Sequence, residues 1–81
     1  MKNIDSIVKE KFNINIEDFL ELAEEEDIDT YSYNYQNNLE NMSPQEYFDF
    51  FIKVIIPYII KKEDSSEDAI YKIIEVLKCV L

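Results

Sequence analysis

The sequence predicts a small all-α domain in which four or five helices pack in a bundle-like arrangement around one central helix. Three observations support this prediction. Apolar residues recur at steps of three and four along most of the 81-residue chain, which contains no glycine and only two prolines. The segment from Ser43 to Lys62 is apolar on nearly every side, as is typical of a helix at the centre of a core. The single alternating stretch, at 30–35, has no partner strand elsewhere in the sequence.

The composition indicates one globular domain, which we place at 1–81. Hydrophobic residues make up 47% of the chain, enough for a folded core despite a net charge of −10. The lone Cys79 cannot form an internal disulfide, and no basic leader precedes an apolar run, so we expect a cytoplasmic protein. The longest apolar run is interrupted by Asp49, Lys53 and Pro57, so we expect no membrane span.

Three missing residue types exclude several classes of function. Without histidine, the common serine and cysteine triads and histidine metal sites cannot be built. Without glycine there is no phosphate-binding loop, and without arginine there is no bidentate anion clamp. The stretch that begins Asp27-Ile28-Asp29 fails as a calcium loop, because Ser32 and Asn38 occupy the positions of the required Gly and Glu. We therefore predict a non-catalytic protein with no cofactor and no metal site.

Two amphipathic helices are predicted in the first third of the chain. Within 2–12, apolar residues fall on one face at steps of three and four: Ile4, Ile7, Val8 and Phe12. Asn15 is a favourable N-cap for the second helix, and two acids follow in its first turn. The apolar face of this second helix comprises Ile16, Phe19, Leu20 and Ala23.

The segment 28–42 is the least regular part of the pattern. Aromatic and polar residues alternate over 30–35, as in a half-buried strand. The same segment also places apolar residues at helical steps, at Ile28, Tyr31, Tyr35, Leu39 and Met42. We predict a short third helix from about residue 29 or 30 to about residue 40, because a lone strand would be unstable.

Strong local signals define the central helix. Ser43, Pro44 and Glu46 match a capping box with proline at the first helical position. Its non-apolar residues recur every four positions: Gln45, Asp49, Lys53, Pro57 and Lys61. They form one narrow strip on a helix, so we predict that this strip is exposed and that all other positions are buried. Pro57 should bend the helix without ending it, and the helix should end at 62–64.

A last helix is predicted after Ser65 or Ser66, either of which can cap it. Glu67 and Asp68 suit its first turn, and Lys78 suits its last turn. The apolar residues expected on its inner face are Ile70, Ile73, Ile74, Leu77, Val80 and Leu81.

Charge is distributed unevenly along the chain. Residues 12–52 hold eleven acids and no base, whereas 53–81 hold five of each sign. Acids also crowd the end of the second helix, where the helix dipole favours cations. One interpretation is a solvated surface of an acidic protein. The other is a docking surface, whose predicted partner-binding residues are Glu21, Glu24, Glu25, Glu26, Asp27, Asp29 and Tyr33.

These patterns lead us to expect a small acidic binding protein that docks on a basic surface of a partner protein. Inhibitors of nucleases or of nucleic-acid-binding proteins fit this description, because such targets carry positive grooves. Immunity proteins, antitoxins and phage counter-defence proteins belong to this class. Direct binding to nucleic acid is not expected from a chain with a net charge of −10. The alternative is a structural or adaptor subunit that binds its partner through an apolar helix face.

Overall fold

A computed structural model describes residues 4–30 and 43–80, without the side chain of residue 80. Its elements are α1 (Ile4–Phe12), α2 (Ile16–Glu25), α3 (Pro44–Phe50), a π-helical turn (Phe51–Ile55), α4 (Ile56–Lys62) and α5 (Ser66–Val80). Every regular element within these ranges is helical, which confirms the prediction of a small all-α, bundle-like fold. Of the helix predicted from about residue 29 or 30 to about residue 40, the first positions are not helical and the rest lies outside the described residues.

The first two helices form as the sequence predicts. Asn15 caps α2, since its side-chain oxygen accepts a hydrogen bond of 2.8 Å from the Asp18 backbone N–H. Asn13 separates the two helices with φ of 59°, a left-handed conformation that asparagine tolerates well. The predicted apolar faces meet each other in the core, where Val8, Phe19 and Ala23 are fully buried.

The segments α3, π-turn and α4 together form one continuous stretch, Pro44–Lys62, which we call the central helix. It begins with the predicted capping box, in which Ser43 and Glu46 exchange side-chain to backbone hydrogen bonds of 3.2 and 3.3 Å. Backbone angles remain right-handed helical at both junctions, with φ/ψ of −60/−44° at Phe50 and −61/−50° at Ile56. The predicted single, proline-bent helix is therefore confirmed.

The π-turn lies directly before Pro57 and accommodates it. A proline ring in an α-helix collides with the carbonyl four residues earlier, here that of Lys53, and leaves that carbonyl without its donor. The wider turn around Lys53 instead closes with a hydrogen bond from the Ile56 N–H to the Phe51 carbonyl, five residues back. Helix widening thus removes the conflict without a break in the chain.

Widening also controls which side chains face the core. Four residues cover more than one full turn of an α-helix, which has 3.6 residues per turn. A strip of side chains spaced four residues apart therefore shifts gradually around the helix axis. A turn with more residues per turn cancels part of this drift. Residues of the central helix that share the inner face are consequently buried together: Tyr47, Phe50, Phe51, Val54, Ile55, Tyr58 and Ile59.

The prediction that all but one narrow strip of the central helix is buried is wrong. Phe48, Ile52 and Ile60 are 51%, 46% and 59% exposed. They form a second, apolar strip at steps of four or eight beside the polar strip that contains Asp49 and Lys53. The physical reason is that, among the described residues, the other helices pack against the opposite side of this helix.

The predicted inner face of α5 is also partly wrong. Ala69 and Val76 are buried, whereas Ile70 and Ile74 are exposed, so the helix is rotated from the expected orientation. Ile73 and Leu77 lie partly buried against the core as predicted. Core packing of Ala69 and Val76 sets the buried side of the helix, and on the same side the Lys72 ammonium donates a 2.5 Å hydrogen bond to the Lys11 carbonyl at the end of α1. The cap at Ser65 is confirmed by a 3.1 Å hydrogen bond from the Asp68 N–H.

An aromatic cluster joins the two halves of the chain. The ring of Phe19 lies 5.0 Å from Phe12 and 4.7 Å from Tyr58, measured between centroids. Lys72 Nζ sits 5.0 Å from the centroid of Phe12, within the range of a cation–π contact. The cluster therefore ties α1, α2, α4 and α5 together at one end of the core.

Two phenylalanines of the central helix provide a matched test of this packing. Phe50 is fully buried and Phe48 is 51% exposed, only two positions away. We expect Phe50→Ala to lower the free energy of unfolding by about 3–5 kcal/mol. Phe48→Ala should change it by no more than about 0.5 kcal/mol, as surface substitutions do. Urea unfolding followed by circular dichroism measures both, and equal losses would show that the helix is oriented differently.

Candidate functional site

The acidic residues around the C-terminus of α2 form one surface, which we call the acidic face: Glu21, Glu24, Glu25, Glu26, Asp27 and Asp29. All of them are exposed except Glu26, which is partly buried. One shallow hollow is lined by Glu21 and Glu24 together with the first-turn acids of the same helix, and a second by Glu24 and the two aspartates. Because Glu24 lines both hollows, the negative surface is continuous along α2.

The backbone at the end of α2 is fixed by a Schellman motif. The Ile28 N–H donates to the Ala23 carbonyl and the Asp27 N–H donates to the Glu24 carbonyl, each at 3.0 Å. Asp27 occupies the left-handed position with φ of 62°, where glycine is preferred. The apolar contact typical of this motif is present too, since Ala23 and Ile28 are both buried. The acidic turn is thus a defined structure despite the strain at Asp27.

The segment after the acidic turn is held in place by the buried Thr30. Thr30 is 4% exposed, and its hydroxyl donates a 2.8 Å hydrogen bond to Glu24 Oε1. This bond holds one carboxylate of the acidic face against the turn. The sequence alone does not reveal this role of Thr30, because nothing in its local pattern distinguishes it from an ordinary loop threonine.

Two distant lysines contact the end of α2. Lys62 Nζ lies 3.2 Å from a carboxylate oxygen of Glu26, and Lys61 donates a hydrogen bond to the Glu26 backbone carbonyl. Both lysines belong to the last turn of α4, so cations reach the negative end of α2 from 35 and 36 positions away. The sequence leaves open whether relief comes from distant lysines or from a partner. For Glu26, these two distant lysines supply the compensating positive charge.

Three other carboxylates of the acidic face are not paired in this way. Within residues 4–30 and 43–80, Glu21, Glu25 and Asp27 have no ion-pair partner. Glu25 precedes the paired Glu26 directly, and Asp27 follows it. The structure therefore divides five of the predicted site residues into an internally held group, Glu24 and Glu26, and an outward group, Glu21, Glu25 and Asp27. Tyr33, the predicted aromatic contact, lies outside the described residues.

This division can be tested with two neighbouring glutamates. Glu26→Gln removes the pair with Lys62, so we expect the stability to fall by about 0.2–1 kcal/mol, the range for partly exposed ion pairs. Glu25→Gln removes a charge that the helix dipole disfavours, so the stability should stay level or rise. Thermal and urea unfolding at low ionic strength measure both variants. In about 1 M NaCl, where the Debye length is about 3 Å, the difference should shrink. Equal losses in the two variants would contradict the division.

Among the described residues, no group of three or more His, Cys, Asp or Glu side chains is arranged to hold a metal ion. No helix in the same part of the chain combines the length and the apolar character needed to cross a membrane. Comparisons with protein-family models, with curated proteins and with solved structures find no match for this chain.

Proposed function

We propose that this chain is a small, non-catalytic, cytoplasmic protein that docks its acidic face on a basic surface of a partner protein. The observation that carries the proposal is the outward group of carboxylates, Glu21, Glu25 and Asp27, which have no ion-pair partner in the described part of the chain. They lie within a stretch, 12–52, that contains eleven acids and no base. A concentrated field of one sign accelerates encounter with a partner of the opposite sign.

The scaffold beneath these carboxylates supports the same proposal. The Schellman motif, the buried Ile28 and Thr30 and the two lysines from α4 hold the turn in one conformation. A preorganised surface loses less conformational entropy when it binds, so more of the interaction energy appears as affinity. Asp27 also keeps a left-handed backbone where Gly or Asn would be less costly. A local cost retained at an exposed charged position is expected at binding sites more than elsewhere.

The sign and size of the charge define the class of partner. A chain with a net charge of −10 and no arginine repels phosphate backbones, so the partner is a protein rather than a nucleic acid. Nucleases and other nucleic-acid-binding proteins present positive grooves that an acidic surface can occupy. We therefore propose an inhibitor of such a protein, of the immunity, antitoxin or phage counter-defence type.

A second candidate function rests on a different observation. Phe48, Ile52 and Ile60 form an exposed apolar strip on the central helix, and α5 exposes Ile70, Tyr71 and Ile74. An adaptor or structural subunit would bind its partner through such a surface. The two functions differ in their response to salt, because screening weakens contacts between charges and leaves apolar contacts nearly unchanged.

The experiment that tests the docking proposal compares two variants of equal net charge. The partner is first captured from the native host with the wild-type chain and identified by mass spectrometry. Glu25→Gln/Asp27→Asn then neutralises the outward group, and Asn also suits the left-handed position of Asp27. Asp68→Asn/Glu75→Gln neutralises the same residue types at exposed positions of α5. Association and dissociation rates are measured for both variants at about 0.1 M and about 1 M NaCl.

We expect the acidic-face variant to bind the captured partner at least about tenfold more weakly at low salt, mainly through slower association. The α5 variant should bind within about twofold of the wild-type chain, which excludes a simple effect of net charge. Wild-type affinity should fall steeply between the two salt concentrations. Equal affinity of the two variants, together with salt-independent binding, would overturn the proposal in favour of the adaptor function.

A further inference from the structure

A groove between the end of α4 and the start of α5 lies outside the acidic face. It encloses about 430 Å³, within the range of roughly 300–1,000 Å³ typical of binding clefts. Four apolar residues, two acids and two serines line it: Ile60, Ala69, Ile70, Ile73, Glu63, Asp64, Ser65 and Ser66. Ile60 and Ile70 are 59% and 57% exposed, so the groove is an open apolar depression. Glu63 is half-buried and Asp64 exposed, and we call these two lining carboxylates its border.

We infer that this groove binds a basic protein segment that inserts one or two large apolar side chains and places Lys or Arg beside them. Its apolar floor favours Leu- or Phe-sized side chains, because burial of Ile60 and Ile70 removes apolar surface from water. Glu63 and Asp64 at the border select cations next to those anchors and reject an acidic segment. Basic amphipathic helices present this combination of apolar anchors and flanking cations.

Charge also argues against a second copy of this chain as the occupant. Two copies would bring together two chains that each carry a net charge of −10, and both borders would contribute carboxylates. Such like-charge contact opposes association. A partner with basic residues around an apolar anchor removes this repulsion and gains attraction from the same border residues.

The groove and the acidic face meet at the end of the central helix. Ile60 lines the groove, and the next two residues, Lys61 and Lys62, contact Glu26 at the end of α2. The inference rests on the proposed function only in taking the partner to be basic, since the contact in the groove is a separate one.

A defined peptide tests the groove without knowledge of the natural partner. The probe is an amphipathic helical peptide of about four turns, about 14 residues, built from Leu and Lys. Two controls share its pattern: in one Glu replaces Lys, and in the other Ser replaces Leu. Binding is measured by calorimetry and by amide chemical shifts at about 0.1 M and about 1 M NaCl. Sedimentation at several concentrations measures self-association of the chain.

We expect the Leu–Lys peptide to bind at least about tenfold more tightly than either control, with shifts centred on Ala69, Ile70 and Ile73. Ile60→Ser/Ile70→Ser should weaken its binding at least about tenfold at both salt concentrations. One variant should leave its affinity unchanged: Ile52→Ser, at an exposed apolar position that does not line the groove. Circular dichroism checks that all variants fold. The substituted isoleucines are exposed, so we expect their replacement to leave the fold intact.

Three results would overturn the inference. Equal binding of the Leu–Glu peptide would remove the basic requirement, and equal binding of the Ser–Lys peptide would reduce the contact to charge alone. A dimer of the chain that Ile60→Ser/Ile70→Ser dissolves would identify a second copy as the occupant. None of these results affects the rates measured for Glu25→Gln/Asp27→Asn with the captured partner, so the groove and the acidic face succeed or fail separately.

Discussion

The fold depends on the phase of the central helix, which the widened turn before Pro57 sets. A four-residue repeat is out of step with an α-helix, so without widening its polar strip would rotate towards the core. With the π-turn in place, Phe50, Val54 and Tyr58 share the buried face, and Tyr58 reaches the aromatic rings of α1 and α2. The same phase brings the last turn of α4 to the end of α2. Core packing and the structure of the acidic face therefore share one origin.

Lysines from the C-terminal half complete the helix ends of the N-terminal half. Lys72 donates to the Lys11 carbonyl at the end of α1, and Lys61 donates to the Glu26 carbonyl just after α2. Helix C-termini carry partial negative charge and leave carbonyls without intrahelical donors, so cations at these positions satisfy both needs. The end of α2 has no local base, and the tertiary fold provides one. On the acidic face, the outward group has no ion-pair partner among the described residues, which is why the proposed function concentrates there.

Features set by short-range chemistry could be predicted from the sequence. The caps at Asn15, Ser43 and Ser65 and the buried faces of α1 and α2 depend on residues within a few positions of one another. Features set by tertiary contacts could not. Rotation of α5 depends on how Ala69 and Val76 pack into the core, and exposure of Phe48 depends on which side of the central helix the other described helices cover.

The candidate site follows the same rule. The crowding of acids at a helix end predicts where the candidate site lies, whereas its division into held and outward carboxylates depends on Lys62, which lies 36 positions from Glu26. The Schellman motif falls between these cases. Ala23 and Ile28 have the spacing that this motif requires. The left-handed position, however, is occupied by Asp27, and the glycine that usually marks the motif in a sequence is missing from this chain.

The central claim is that Lys62 holds Glu26 within the fold while Glu25 remains directed outward. A double-mutant cycle of Glu26→Gln with Lys62→Gln tests it most directly, since the coupling energy isolates this pair from other effects of each substitution. A parallel cycle of Glu25→Gln with Lys62→Gln serves as the control. Urea unfolding at low ionic strength should give a favourable coupling of about 0.2–1 kcal/mol for the first cycle and close to none for the second. No coupling between Glu26 and Lys62, or equal coupling in both cycles, would contradict the account.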